Sequence, residues 1–223
     1  MAKASEADLR EGLVDVMQAM DARGLNRGTS GNVSARLEGG AMLVSPSGVP
    51  AARLEPQHMV LVRADGSTPA GALKPSSEWR MHRQLLAARP DVNAVVHCHS
   101  RYATTLACAG RPIPPLHYMV AVAGGADIPI APYSTFGSAE LGAGVVETLA
   151  GRYGALMANH GQIALAPRLD LALAIAEEIE EQAAIYWGTL MIGGPTLLSA
   201  AEIDVVLQRF AVYGQGSRSA EDR

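Results

Sequence analysis

VSARLEGGAMLVS, Val33 to Ser45, decides the architecture. Two short extended runs, VSARL and AMLVS, flank Glu38-Gly39-Gly40, and runs of that length around a glycine-containing turn read as a β-hairpin. The pattern returns later, where YGALMAN and QIALA turn at His160-Gly161. Val60-Leu61-Val62, closed by Asp65-Gly66, supplies a further strand. Strands that arrive in adjacent pairs pair antiparallel. A doubly wound parallel sheet would instead set a helix between each strand and the next.

Helices fill the intervals. Ser5 with Asp8 forms a capping box, Leu9, Leu13, Val16, Met17 and Met20 recur on one helical face, and Gly24 offers the stop. A serine-capped helix is expected to begin at KPSSEW and to end before Pro90. Further helices are expected over RYATTLACAG, near SAELGAGVVETLAG, from about Asp170 to Ile192, and from a Ser199/Glu202 cap to near Tyr213-Gly214. The acidic EEIEE within the longest of them reads as a solvated face. A short strand is expected around DIPIAPY, in a middle otherwise rich in Pro and Gly. The result is a single α/β domain over residues 1–214, with a central mixed or antiparallel sheet flanked by helices. The tail QGSRSAEDR, residues 215–223, reads as disordered.

The chain has 223 residues, enough for one substantial core. It is 48% hydrophobic but only 4% aromatic, so that core must be aliphatic. A net charge of −4 without a basic stripe argues against a nucleic-acid partner. No run approaches the ~18 apolar residues a membrane span needs. The opening MAKASEADLR meets an acid at its sixth position and has no apolar stretch, so it does not read as a secretory signal. Two cysteines give no disulfide framework. A cytoplasmic location is expected.

The chemistry gathers at AVVHCHS, Ala94 to Ser100. If this segment is a strand, side chains alternate faces. His97 and His99 then point the same way with Cα atoms about 6.5–7 Å apart, while Cys98 points the other way. Two imidazoles so placed can converge on one ion, since each nitrogen sits about 2 Å from a zinc; the alternative is two partly buried histidines hydrogen-bonded to backbone. His160, at its strand-to-strand turn with Gly161 beside it, is the best third ligand, the alternative being an ordinary turn histidine. Glu78, in the first turn of its helix, offers a carboxylate for the ion or for proton transfer, or simply a favourable charge at a helix N-terminus. His82 shares a helical face with Glu78 and reads as a packing residue. Three small-residue stretches, GTSGN, SPSG and PSSE, present hydroxyls and unhindered amides that suit a phosphate without a lysine.

Taken in order, GTSGN, SPSG, SSEW, HCH, HYM, APYSTFG and NHG resemble the class II aldolase/adducin head-domain family over nearly the whole chain. The resemblance implies one zinc per subunit, bound by His97, His99 and His160, with Glu78 as ligand and acid/base. It implies a phosphate pocket from Gly31, Asn32, Ser47, Gly48, Ser76 and Ser77. It gives Tyr118 a catalytic role in a neighbouring subunit's site, Tyr213 a part in closing it, and the assembly a four-fold homotetramer. The implied reaction is cleavage of L-fuculose 1-phosphate, or a closely related ketose 1-phosphate, to dihydroxyacetone phosphate and a short aldehyde such as L-lactaldehyde. Members acting on 5-deoxyribulose or methylthioribulose 1-phosphate share these motifs. A pentulose-phosphate 4-epimerase or a dehydratase would share the histidine triad, and an adducin-like interaction module only the fold. The chain departs from the fuculose-cleaving pattern at Asn159 and Cys98, which leaves the aldehyde open.

Overall fold

The structure, a computed structural model, describes residues 4–212. Its centre is a seven-stranded sheet in the order β3-β2-β1-β4-β7-β6-β5. The strands are β1 (Asn32–Arg36), β2 (Met42–Val44), β3 (Val60–Val62), β4 (Ala94–Cys98), β5 (Ile130–Ala131), β6 (Gly154–Met157) and β7 (Gly161–Ala166). Every neighbouring pair is antiparallel except β5 with β6. The two hairpins read from the sequence are present: β1 pairs with β2 and β6 with β7.

Of the six α-helices among the described residues, α1 (Glu6–Ala22), α2 (Trp79–Ala88), α3 (Arg101–Cys108), α4 (Ala139–Thr148) and α5 (Leu169–Leu190) cover the sheet, while α6 (Ala200–Val212) packs on the short helical turn Tyr118–Ala123. The strands sort their side chains by period two. Val33, Ala35, Ala94, Val96, Cys98, Ala164 and Ala166 face one apolar cluster with α1, α3 and α5. Val95, Ile163, Leu165, Met42 and Val44 face a second cluster with α2 and α4. Small alanines on the first face let the long α5 lie close to the central strands.

Local chemistry explains the boundaries. Ser5 and Asp8 cap α1 reciprocally, and Gly24, at φ +73°, follows its end. Ser199 and Glu202 make the same exchange ahead of α6. The helix expected to start on a serine cap at KPSSEW begins later. Glu78 is the residue ahead of Trp79, and its side chain makes no capping bond. Ser76 Oγ instead accepts from the Glu78 amide at 3.3 Å, in the turn before the helix. The carboxylate is thereby left for other partners.

The EEIEE segment on α5 also differs from a solvated face. Glu180 accepts from the amides of Tyr102 and Ala103 at 2.8 and 2.9 Å, capping α3 from another helix. Glu177 pairs with Arg23, and Ile179 is fully buried. Tyr213 and the tail 215–223 lie outside the described residues.

Leu85 on α2 is fully buried in the second cluster. Leu85→Ala is expected to destabilise the fold by about 2–5 kcal/mol, the usual cost of a core leucine. Urea denaturation at fixed metal concentration measures it.

Candidate metal centre and active-site cleft

Three adjacent strands set the floor of the site. In the ladder β1–β4–β7, His97 stands opposite Asn32 on one side and Ile163 on the other. Its side chain leaves on the second face, while Cys98 turns into the first cluster. Burial pushes the Cys98 thiol up to about 12. His99 follows directly after the strand. His160 sits in the β6–β7 turn behind Asn159, whose φ of +55° is a left-handed conformation that Asn tolerates. Gly161 is needed at its position, because a Cβ there would lie 2.5 Å from the Cys98 carbonyl oxygen and 3.0 Å from His99.

The four side chains converge. His97 Nε2 is 3.0 Å from His99 Nε2 and 3.2 Å from Glu78 Oε2, and His160 Nε2 is 3.2 Å from Glu78 Oε1. The three rings lie 4.8–4.9 Å apart with planes crossed at 72–77°. One ligand atom from each of the four lies within 4.8 Å of the rest. Tetrahedral arms of about 2 Å give edges of about 3.3 Å, close to these contacts.

The charges make the same point. His97 Nδ1 donates to the Gln162 carbonyl at 2.8 Å, which aims Nε2 at the cluster. Burial opposes a charge on His97, yet the Glu78 carboxylate raises its pKa. Burial, with His97 and His160, takes His99 down to about 4, and burial with His97 takes His160 down to about 4. Burial also opposes ionisation of Glu78, but His97, His160 and the Asn32 hydrogen bond hold its carboxyl well below the usual range. Glu78 Oε1 is buried without a hydrogen-bond partner. Imidazole nitrogens facing one another beside a carboxylate need a positive charge among them, and a divalent cation fits that need.

A cleft of about 310 Å³ opens over this cluster. Gly31, Asn32, Ser47, Gly48, Ser76 and Ser77 all line it, together with Glu78, His99 and His160. The loops are tied together by Ser47 N–H to the Lys74 carbonyl (2.9 Å), Ser76 N–H to the Ser45 carbonyl (3.0 Å) and a bridge between Pro46 and Pro75. The Ser47 and Ser76 amides are thus already used. Gly31 and Gly48 hold φ near +74° and +73°, which turns each loop sharply toward the cleft. Among the described residues, no lysine or arginine lines it. An anion here would be held by hydroxyls and backbone amides.

Tyr118 is 48% exposed, stacks on His117 and does not line this cleft. Sequence reasoning did not place Tyr133, Phe136 or Asn159 in the site, yet all three line it. The sequence offered little to find them by: Tyr133 and Phe136 lie in a Pro-rich stretch without helical or strand period, and only the structure shows Phe136 to be 67% exposed at the cleft.

Residues 11–187 match the family model of the class II aldolase and adducin N-terminal domain, and the chain belongs to that family. It stands with the family's aldolases, which are lyases. The chain is 47% identical over 214 residues to a 5-methylthioribulose-1-phosphate/5-deoxyribulose-1-phosphate aldolase of Rhodospirillum rubrum, covering 96% of each. It is 45% identical over 203 residues to the L-fuculose phosphate aldolase of Escherichia coli strain K12, covering 91% of this chain and 94% of that one. Among solved structures, an L-fuculose 1-phosphate aldolase superimposes with a TM-score of 0.88 at 35% identity, over 95% of this chain and 98% of the other.

His99→Ala should lose bound metal and activity together, and Gly161→Ala should weaken metal binding by pushing His99 and the Cys98 carbonyl away from the turn. Metal content of the purified variants checks both; stoichiometric metal held at native affinity in His99→Ala would remove it from the ligand set.

Proposed function

We propose that the chain cleaves, reversibly, a ketose 1-phosphate to dihydroxyacetone phosphate and a short aldehyde, using one zinc ion per subunit. The observation that carries the reading is the convergence of His97, His99, His160 and Glu78 beneath a cleft of hydroxyls and glycines. The substrate is L-fuculose 1-phosphate or a 5-deoxy- or 5-methylthioribulose 1-phosphate. All three end in an apolar carbon or sulfur group, and Tyr133 and Phe136 offer that end an aromatic wall. The sequence motifs put fuculose first, whereas the relative at 47% identity carries the ribulose name.

His97, His99, His160 and Glu78 would hold the zinc, which as a Lewis acid would polarise the ketose carbonyl and so ease breakage of the C3–C4 bond. Gly31, Asn32, Ser47, Gly48, Ser76 and Ser77 bind the phosphate and so fix which carbons face the cluster. Glu78 moves the proton at C3, the carbon that parts from the aldehyde. Its carboxylate is ionised, buried and free of any capping duty. The hydroxyl proton on the aldehyde side passes through Tyr118 of the partner subunit. That assignment rests on family resemblance and on a Tyr118 that is half exposed yet outside its own subunit's cleft. The same resemblance supplies the rest of the proposal: a homotetramer with sites between subunits, and a part for Tyr213 in closing each site. The two cysteines are unpaired, in keeping with a reducing cytoplasm. No described helix is long and apolar enough to cross a membrane.

Glu78→Gln should lower kcat by roughly 10²–10⁴ while the protein stays folded and assembled; a near-normal kcat would move proton transfer to another group. A panel of phosphorylated and free ketoses, read by coupled reduction of dihydroxyacetone phosphate, should show turnover only with 1-phosphates. Equal kcat/KM for free and phosphorylated sugar would rule out the phosphate pocket.

The shared site has its own test. Tyr118→Phe and His97→Ala, each inactive alone, should regain part of the activity when their subunits are exchanged. A mixture that stays inactive despite proven exchange would place Tyr118 in its own subunit's site or outside catalysis.

A further inference from the structure

Behind Glu78 lies a buried polar chain that no reading of the ligand set requires. Asn32 Nδ2 donates to Glu78 Oε2 at 3.0 Å. Asn32 Oδ1 is bonded to His82 Nε2, and His82 Nδ1 lies 2.7 Å from Ser34 Oγ. Ser34 and His82 are wholly buried, and Asn32 is 5% exposed. The placement follows from two periodicities. Asn32 and Ser34, two apart on β1, share the face of the sheet under α2. His82, four residues after Glu78, comes one turn further along that helix and spans both.

Every link in this chain has a direction. An ionised carboxylate only accepts, so Asn32 must turn its NH₂ toward Glu78. Its carbonyl oxygen then faces His82 and also only accepts, so the imidazole must carry a hydrogen on Nε2. With the amide turned over, its oxygen would face the carboxylate and its NH₂ the imidazole. That arrangement brings two acceptors together in a buried place and is strongly unfavourable. The chain therefore has a single arrangement, its direction set by the acceptor-only carboxylate of Glu78, with the Ser34 hydroxyl closing the far end by donating to His82 Nδ1.

We propose that His82, backed by Ser34, is a positioning residue that locks the Asn32 amide with its NH₂ toward Glu78 and so fixes the aim of that carboxylate on the histidine cluster. A ligand that must hold an ion and also move a proton needs a defined resting place, and the Asn32 bond provides it. Asn32 is thus a structural link to Glu78 as well as a wall of the phosphate pocket.

The experiment is a double-mutant cycle on the assembled protein. Zinc affinity is read by chelator competition, alongside kcat and KM with whichever ketose 1-phosphate the protein cleaves. His82→Leu keeps bulk but has no donor; His82→Gln keeps an N–H near the place of Nε2. His82→Leu should weaken zinc binding by roughly 10–100-fold, the usual cost of losing a group that orients a metal ligand. It should lower kcat more than it changes KM. His82→Gln should restore most of both. In an Asn32→Ala background, His82→Leu should cost nothing further, because the link it acts through is gone. Native zinc affinity in His82→Leu, or the same loss with and without Asn32, would overturn the proposal and leave His82 as packing. If His82→Leu does not fold, Ser34→Ala carries the same cycle with the imidazole in place. A zinc loss that vanishes in Asn32→Ala supports the chain, and an unchanged affinity overturns it. The inference rests on the aldolase reading of the site, but its zinc arm does not need turnover. Failure to cleave any ketose phosphate would sink that reading while the affinity cycle still decides the role of His82.

Discussion

The site depends on one register. Antiparallel pairing of β4 with β1 and β7 sets Asn32 opposite His97 and runs the Gln162 carbonyl alongside the His97 ring. A slip of one residue on either side would turn His97 into the first apolar cluster and Cys98 out of it. That slip is strongly opposed, because both faces of β4 are buried and each carries its own packed set. The same hydrophobic sorting that makes the sheet therefore fixes the position of a polar, charge-bearing group. The geometry of the histidine cluster is a by-product of core packing.

Around that register the protein holds charge where water cannot help it. Glu78 is 5% exposed, and its carboxylate stays ionised only because imidazoles and an amide compensate for lost hydration. The glycine- and serine-rich loops of the cleft solve a different problem, with no lysine or arginine among the described residues that line it. Three turns, two of them tied to each other by two backbone bonds and a bridge, present hydroxyls and glycine backbone to a common space. One end of the cleft is thus electrostatically demanding and the other permissive. That division suits a substrate with one reacting carbon and one anchoring group.

Much of this was legible in the sequence. Period-two alternation at AVVHCHS gave the shared direction of His97 and His99 and the opposite one of Cys98. The paired strands gave the mixed sheet. His160 could be singled out by its turn but not brought to the pair by any local rule, because its approach is set by a ladder between strands more than sixty residues apart. The start of α2 misled for a physical reason: serines before a helix normally cap it, but here Glu78 occupies that position and its side chain is drawn to the histidines. Glu180 looked like part of a solvated acidic run because nothing in sequence shows that the uncapped end of α3 lies beside it. Tyr133 and Phe136 come from a segment with no period to read.

The cysteine between the two histidines has a consequence for metal choice and oxidant tolerance. A thiolate one residue from two imidazole ligands would draw soft ions such as copper(I) and would be an easy target for peroxide. The pleat turns Cys98 to the far side of the sheet, where it is fully buried among apolar side chains and its thiol keeps its proton far above neutral pH. The sulfur thus takes no part in selecting the ion, which falls to nitrogen and oxygen donors alone. A strand only one residue thick keeps a redox-sensitive group and a cluster of imidazoles as chemical strangers, though they are neighbours in the chain.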